Sequence, residues 1–182
     1  MLDKPVPVTT VTLNNPVATP SVPADAVIPA TTTTDTPTPT TIVDRPASLA
    51  AAVATQDIPE TVGEDLRCLA TAIYYEAKGE PLAGQLGVAQ VIINRSRSDR
   101  FPRSICGVVT QPGQFSFVRG GQMASPAVGN HAYRTALAVA RVALDQQWEN
   151  PVASALYFHA ARVAPNWGRQ RVATIGRHIF YR

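Results

Sequence analysis

The sequence predicts an α+β domain, mainly helical with a small antiparallel sheet, behind a Pro/Thr-rich leader. Three observations lead there. Composition divides the 182 residues near position 60, because the first 60 hold 10 of the 16 Pro and 13 Thr but no aromatic residue, Gly or Cys. From about Thr61 to Gln147 apolar residues recur at helical spacing. After Asn150-Pro151 the pattern changes to short β-branched and aromatic runs separated by turn residues.

Residues 1–60 cannot bury enough apolar surface to offset their ordering entropy, and their prolines favour extended conformations. They are read as a disordered leader or tether, with a transient helical turn or two over Ala47 to Thr55. Charge divides the same way: 2 basic and 6 acidic side chains fall in the first 60 residues, leaving 14 and 7, a net +7, for residues 61–182. The latter form one domain of comfortable size. No apolar run approaches the roughly 20 residues that span a bilayer, so a membrane-embedded protein is excluded. No basic stretch leads into an apolar run, so no signal peptide is visible at this N-terminus.

In chain order, Thr61-Val62-Gly63-Glu64 has the form of a capping box. Leu66, Leu69, Ala70, Ile73 and Ala77 follow at helical spacing, and Gly79 with Glu80-Pro81 supplies a left-handed stop and a new start. A second helix runs from Pro81 to about Asn94, with Leu82, Leu86, Ala89, Ile92 and Ile93 on one face. Phe101-Pro102 to Val109 suggests a short third helix, and Gln111-Pro112-Gly113 a type II turn. Gln114 to Val118 is strand-like. An Ala-rich helix occupies about Ala127 to Gln147. Ala155 to His159 and His178 to Tyr181 read as strands, with Pro165-Asn166-Trp167-Gly168 as a turn cluster between them.

Glu76 stands out on the first helix of this domain. At 100° per residue from Leu66 it falls at about 280°, beside Leu69 at about 300°, on the border of the apolar stripe. Apolar neighbours strip hydration from an ionised carboxylate, raising its pKa toward the range of a general acid at neutral pH. An ordinary wet glutamate tied to Lys78 or Arg67 is the competing reading.

The run Tyr75-Glu76-Ala77-Lys78-Gly79-Glu80-Pro81, then Gly84-Gln85 and Val88 to Arg95, resembles the catalytic domain of cell wall hydrolases of the spore cortex-lytic enzyme type. These belong to the lysozyme and lytic transglycosylase superfamily. The likeness continues through Phe101-Pro102, Ile105 to Val109, Gln111 to Ser116, Ala155 to His159, Pro165 to Trp167 and Ile175 to Arg182. It covers about 115 residues in shared order. The resemblance implies a lysozyme-like fold, a peptidoglycan glycan strand as substrate, no cofactor, and Glu76 as the single catalytic glutamate. Gln114, Phe115, Ser116, Tyr157, His159 and Trp167 fall in the matching blocks and carry the aromatic faces, amides and hydroxyls that saccharides require, so they are assigned to the cleft. Core packing competes for Phe115, Phe158 and Phe180, and a hydrogen-bonded core role for His159. Both cysteines also fall in matched blocks near helix ends, which favours a Cys68–Cys106 disulfide over a lone thiol.

Cleaving the β-1,4 link between N-acetylmuramic acid and N-acetylglucosamine needs a proton on the bridging oxygen. No second carboxylate is convincing: Glu80 is read as accepting hydrogen bonds at the next helix's N-terminus, and Asp99 and Asp145 as solvated. One carboxylate suits a lytic transglycosylase making 1,6-anhydro ends, with lysozyme-like hydrolysis the alternative. A monomer acting outside the cytoplasmic membrane is expected, in the periplasm, cell wall or medium. His131, His159 and His178 lack ligand spacing for a metal.

Two rivals remain at this level. Cys68 followed by His159 is the order of a papain-like peptidase, although Cys68 lies at about 200° from Leu66, away from the apolar face. The cluster Arg95, Arg97, Arg100 and Arg103 could serve a non-catalytic polyanion-binding module. It lacks the stacking aromatics of a nucleic-acid reader, so no nucleic acid is expected and a solvated basic loop is favoured.

Overall fold

Helix formation begins ahead of Thr61. The structure, a computed structural model, describes residues 45–150 and 152–182; residues 1–44 of the expected leader lie outside the described residues. Helix α1 spans Leu49–Ala54, and the Ser48 hydroxyl accepts the Ala51 N–H at 3.1 Å. Six residues are too few to persist as an isolated helix. Burial of Ala52 and Val53 in the main core holds it, where local propensity suggests only a passing turn.

Helix α2 spans Glu64–Ala77. The capping box expected at Thr61 does not form, because Gly63 is the N-cap and no side chain caps the helix. Glu64 and Asp65 instead occupy the first turn, where the positive end of the helix dipole favours them. Leu66, Leu69, Ala70, Ile73 and Ala77 are buried as their spacing predicts, but so are Cys68, Thr71 and Ala72. Helices on several sides of α2 account for this, as expected of a helix inside a core.

After Gly79, whose φ is +82°, helix α3 runs over Leu82–Ser96 with Pro81 as N-cap. Helix α4 is shorter than expected, Ile105–Thr110, and starts where the Ser104 hydroxyl accepts the Gly107 N–H at 3.0 Å. A disulfide joins Cys68 of α2 to Cys106 of α4, with Cα atoms 5.3 Å apart. Residues 114–117 are not a strand. Phe115 and Phe117 are buried and Ser116 is exposed, so the alternation is present, but no neighbouring strand pairs with it. Only Val118–Arg119, β1, pairs antiparallel with Gln122–Met123, β2. Helix α5 spans His131–Leu144, within the expected 127–147, and its N-cap Asn130 side chain accepts the Tyr133 N–H at 3.2 Å.

Strands β3 (Tyr157–Ala160), β4 (Arg171–Ile175) and β5 (His178–Tyr181) form an antiparallel sheet in the order β3-β5-β4. Strand β4 has no counterpart in the sequence reading; a bulge between Arg171 and Ala173 disrupts its alternation. Phe180, fully buried, ties the sheet to α3. A Cβ on Gly87 would stand 2.7 Å from its ring, so this approach requires glycine. The result is an α+β domain with its core among α2, α3, α4 and α5 and the small sheet against α3. No helix among the described residues is long and apolar enough to cross a membrane.

Candidate active site

Glu76 lies in the last turn of α2, half-buried, and makes no hydrogen bond or ion pair with another side chain among the described residues. Burial pushes its carboxyl above the ordinary value. The alternative partner Lys78 instead stands over the rings of Tyr74 and Tyr75, at 4.6 and 5.8 Å.

Glu80, four residues on, has the opposite environment. Its side chain is 4% exposed and accepts from Arg177 twice, from the backbone N–H at 2.9 Å and from Nε at 2.5 Å. Burial alone would raise its pKa, but the Arg177 hydrogen bonds and charge outweigh that and lower it. Its carboxylate therefore binds the β4–β5 turn rather than the N-terminus of α3. Gly176 begins that turn with φ +56°, and a Cβ there would fall 2.2 Å from Glu80 Oε2. The turn thus fits only glycine, and it sets His178 beside Glu76.

Two cavities meet at Glu76. The larger, about 680 Å³, is lined by Tyr75, Glu76, Arg95, Gln114, Phe115, Ser116, Tyr157, Phe158, His159, Ala160, Arg162, Trp167, Arg169 and His178. The smaller, about 330 Å³, is bounded by Glu76, Glu80, Ala160, Ala161, Arg162, Arg177 and His178. Every residue assigned to the cleft from sequence therefore lines the same groove as Glu76. Their surroundings differ. Gln114 and Ser116 are exposed, whereas Phe115 is 6% exposed and packs at 5.4 Å against Phe117, so it belongs mainly to the core. Trp167 is 45% exposed, with the rings of His159 and Tyr181 at 5.4 and 6.0 Å. Tyr157 has one ring face covered by the Arg169 guanidinium at 3.5 Å.

His159 is held at both ring nitrogens. Nδ1 lies 2.9 Å from the Ala160 carbonyl, which can only accept, so Nδ1 donates there; Nε2 lies 2.9 Å from the Tyr181 hydroxyl. His178 is 5% exposed and its Nδ1 has no hydrogen-bond partner. Burial chiefly lowers its pKa, against the raising effects of Glu80 and the Glu76 backbone carbonyl, so the ring is neutral near pH 7.

Sequence reasoning placed Arg95 in a solvated basic loop. It is instead buried at 6% exposure, donating from Nε to the Leu156 carbonyl at 2.7 Å and from Nη1 to Gln114 Oε1 at 3.3 Å. Its guanidinium also lies over Phe101 at 5.0 Å. Helical phase was the available signal, since Arg95 follows Ile92 and Ile93 on α3. Arg162, Arg169, Arg177 and Tyr181 also contribute to the site; Arg177 and Tyr181 fall in the matching block Ile175 to Arg182, whereas nothing local in the sequence marks Arg162 and Arg169.

Cys68 is 1% exposed and bonded to Cys106, so it offers no thiolate nucleophile and the peptidase reading is set aside. No group of His, Cys, Asp and Glu among the described residues could hold a metal ion.

Residues 79–181 match the family described as Cell Wall Hydrolase, a range that begins just after Glu76. The chain is 40% identical over 119 residues to the spore cortex-lytic enzyme of Bacillus subtilis, covering 64% of this chain and 37% of that protein. It is 37% identical over 122 residues to the Bacillus cereus enzyme of the same name, covering 64% and 43%. The chain thus spans less than half the length of these curated relatives. Among solved structures it resembles the catalytic domain of the germination-specific lytic transglycosylase SleB from Bacillus anthracis, with TM-score 0.56 and 34% identity over 69% of this chain and 100% of that one. The catalytic domain of the Bacillus cereus SleB protein gives TM-score 0.53 at 34% identity, covering 69% and 95%. On this agreement of sequence and fold, the chain belongs to the cell wall hydrolase family.

Proposed function

We propose that this domain is a lytic transglycosylase cleaving the β-1,4 bond between N-acetylmuramic acid and N-acetylglucosamine in peptidoglycan, with Glu76 as its one catalytic carboxyl. The observation that carries the reading is the state of Glu76: half-buried, without a cationic partner among the described residues, and raised in pKa where two cavities meet. A carboxyl so placed keeps its proton to higher pH than an ordinary glutamate and can deliver it to a bridging oxygen.

In the first step the Glu76 proton passes to the glycosidic oxygen as the C1–O bond breaks and the muramic ring takes on oxocarbenium character. The freed N-acetylglucosamine end leaves as a 4-hydroxyl. The muramic C6 hydroxyl then bonds to C1, and its proton returns to the Glu76 carboxylate. The nucleophile is part of the substrate, so its effective concentration is high and no second base is needed. Glu76 is the one acid lining the larger cavity, and Glu80, on the smaller, is matched to Arg177. That supports the one-carboxylate route over a two-carboxylate hydrolysis.

Gln114, Ser116 and Trp167 offer an amide, a hydroxyl and an exposed ring to the sugar units, and the His159–Tyr181 pair fixes the groove wall. The disulfide supports action in an oxidising compartment outside the cytoplasmic membrane. In this reading the domain acts as a monomer and the leader is a tether. Incubating purified glycan strands with the protein and with Glu76→Gln tests the assignment: release of soluble fragments is expected to fall about 1,000-fold or more in the variant. The rate should also decline as pH rises and Glu76 loses its proton. A variant that clears strands at the parent rate would overturn the role of Glu76.

A further inference from the structure

A neutral sugar chain does not explain the charge of this groove. Its two cavities are lined by Arg95, Arg162, Arg169 and Arg177, against only Glu76 and Glu80. Three of these cations have evident occupations. Arg95 is buried on Leu156 and Gln114, Arg169 lies on Tyr157, and Arg177 is joined to Glu80 through Nε. Arg162 differs. It is exposed, has no ion-pair partner among the described residues, and lines both cavities together with Glu76, Ala160 and His178.

A planar, exposed guanidinium without an ion-pair partner among the described residues is suited to a carboxylate, which it can bind through two parallel hydrogen bonds. Arg177, whose side chain is 75% exposed, lines the same small cavity. At about 330 Å³ that cavity is within the range of small-ligand sites. In the substrate of the proposed reaction, the unit beside the scissile bond carries a lactyl ether ending in a carboxyl group, either free or extended by an acidic peptide.

We propose that the smaller cavity is a carboxylate subsite, in which Arg162, assisted by Arg177, holds the anionic substituent of the muramic unit adjacent to Glu76. This rests on the glycan-cleaving reading above. It makes the domain selective for charged strands over neutral ones, with Arg162 the specificity-determining residue.

The test uses three preparations of the same strands: peptide-bearing, stripped of peptide by an amidase so that the lactyl carboxylate is free, and stripped then converted to methylamides with a carbodiimide. The parent protein is expected to show a KM at least about fivefold lower on a carboxylate-bearing preparation than on the methylamide, with little change in kcat. A low KM on the stripped strands identifies the lactyl carboxylate as the ligand. A low KM confined to peptide-bearing strands identifies the peptide's carboxylates; either result supports the subsite. Arg162→Gln should lose the preference by raising KM on charged strands, and Arg162→Lys should restore part of it. Arg103→Gln removes the same charge from a surface pair with Asp99, outside both cavities, and should keep the preference. Equal KM on charged and methylamide strands, or an unchanged preference in Arg162→Gln, overturns the subsite alone. Failure of the parent to cleave any preparation overturns the glycan-cleaving reading with it.

Discussion

Glu76 and Glu80 are separated by one helix end and have opposite electrostatics. Glu76 loses hydration without gaining a cation, so its pKa rises from about 4.5; Glu80 gains Arg177, so its pKa falls. The pH dependence of stability therefore has opposite signs. Below the ordinary glutamate range Glu76 is protonated in both folded and unfolded chains; as pH rises through its raised pKa, ionising a poorly hydrated group costs stability. Glu76→Gln is accordingly expected to melt above the parent at neutral pH, with the difference vanishing on acidification. Glu80 stabilises above its unfolded pKa and loses that contribution as pH falls toward its lowered one. Glu80→Gln should melt below the parent at neutral pH, by about 1–2 kcal/mol given that Arg177 reaches into solvent, and this gap also closes in acid. Paired thermal melts between about pH 3 and 8 check both signs. The border position of Glu76 was legible because it depends only on helical phase. The partner of Glu80 was not, because it lies 97 residues away.

At the scale of elements, what could be read was what repeats locally. The apolar spacing in α2, α3 and α5 located each helix, while the ends shifted with caps such as Gly63, Ser104 and Asn130. Residues 114–117 alternate like a strand because Phe115 and Phe117 anchor a loop, and β4 was hidden by its bulge. The α2–α4 disulfide closes a separation of 38 residues, worth about 4 kcal/mol in the chain-entropy account. Replacing Cys68 and Cys106 together by Ala should lower stability by an amount of that order, measurable by denaturant titration. Strand cleavage well below the melting temperature should persist, because neither sulfur enters the reaction; loss of activity in a folded double variant would contradict this.

For the whole molecule, the groove is assembled from parts distant in sequence. The end of α2 supplies Glu76, the loop before β1 supplies Gln114 and Ser116, and β3 with the segment after it supplies Tyr157, His159, Arg162 and Trp167. The buried Arg95 holds α3 to the residue before β3, and the Glu80–Arg177 pair holds the α2–α3 connection to the β4–β5 turn. The residues assigned from the family likeness converge on this one cavity, while whether each packs in the core or faces the groove depends on packing that spacing does not show. The convergence also leaves one acid in the larger cavity, on which the proposed chemistry rests. Mass spectrometry of the fragments from purified glycan strands tests this most directly. Muramic ends lighter by one water, as 1,6-anhydro rings require, and absent with Glu76→Gln, are the expected result; muramic reducing ends that incorporate labelled oxygen from solvent water as they form would contradict it.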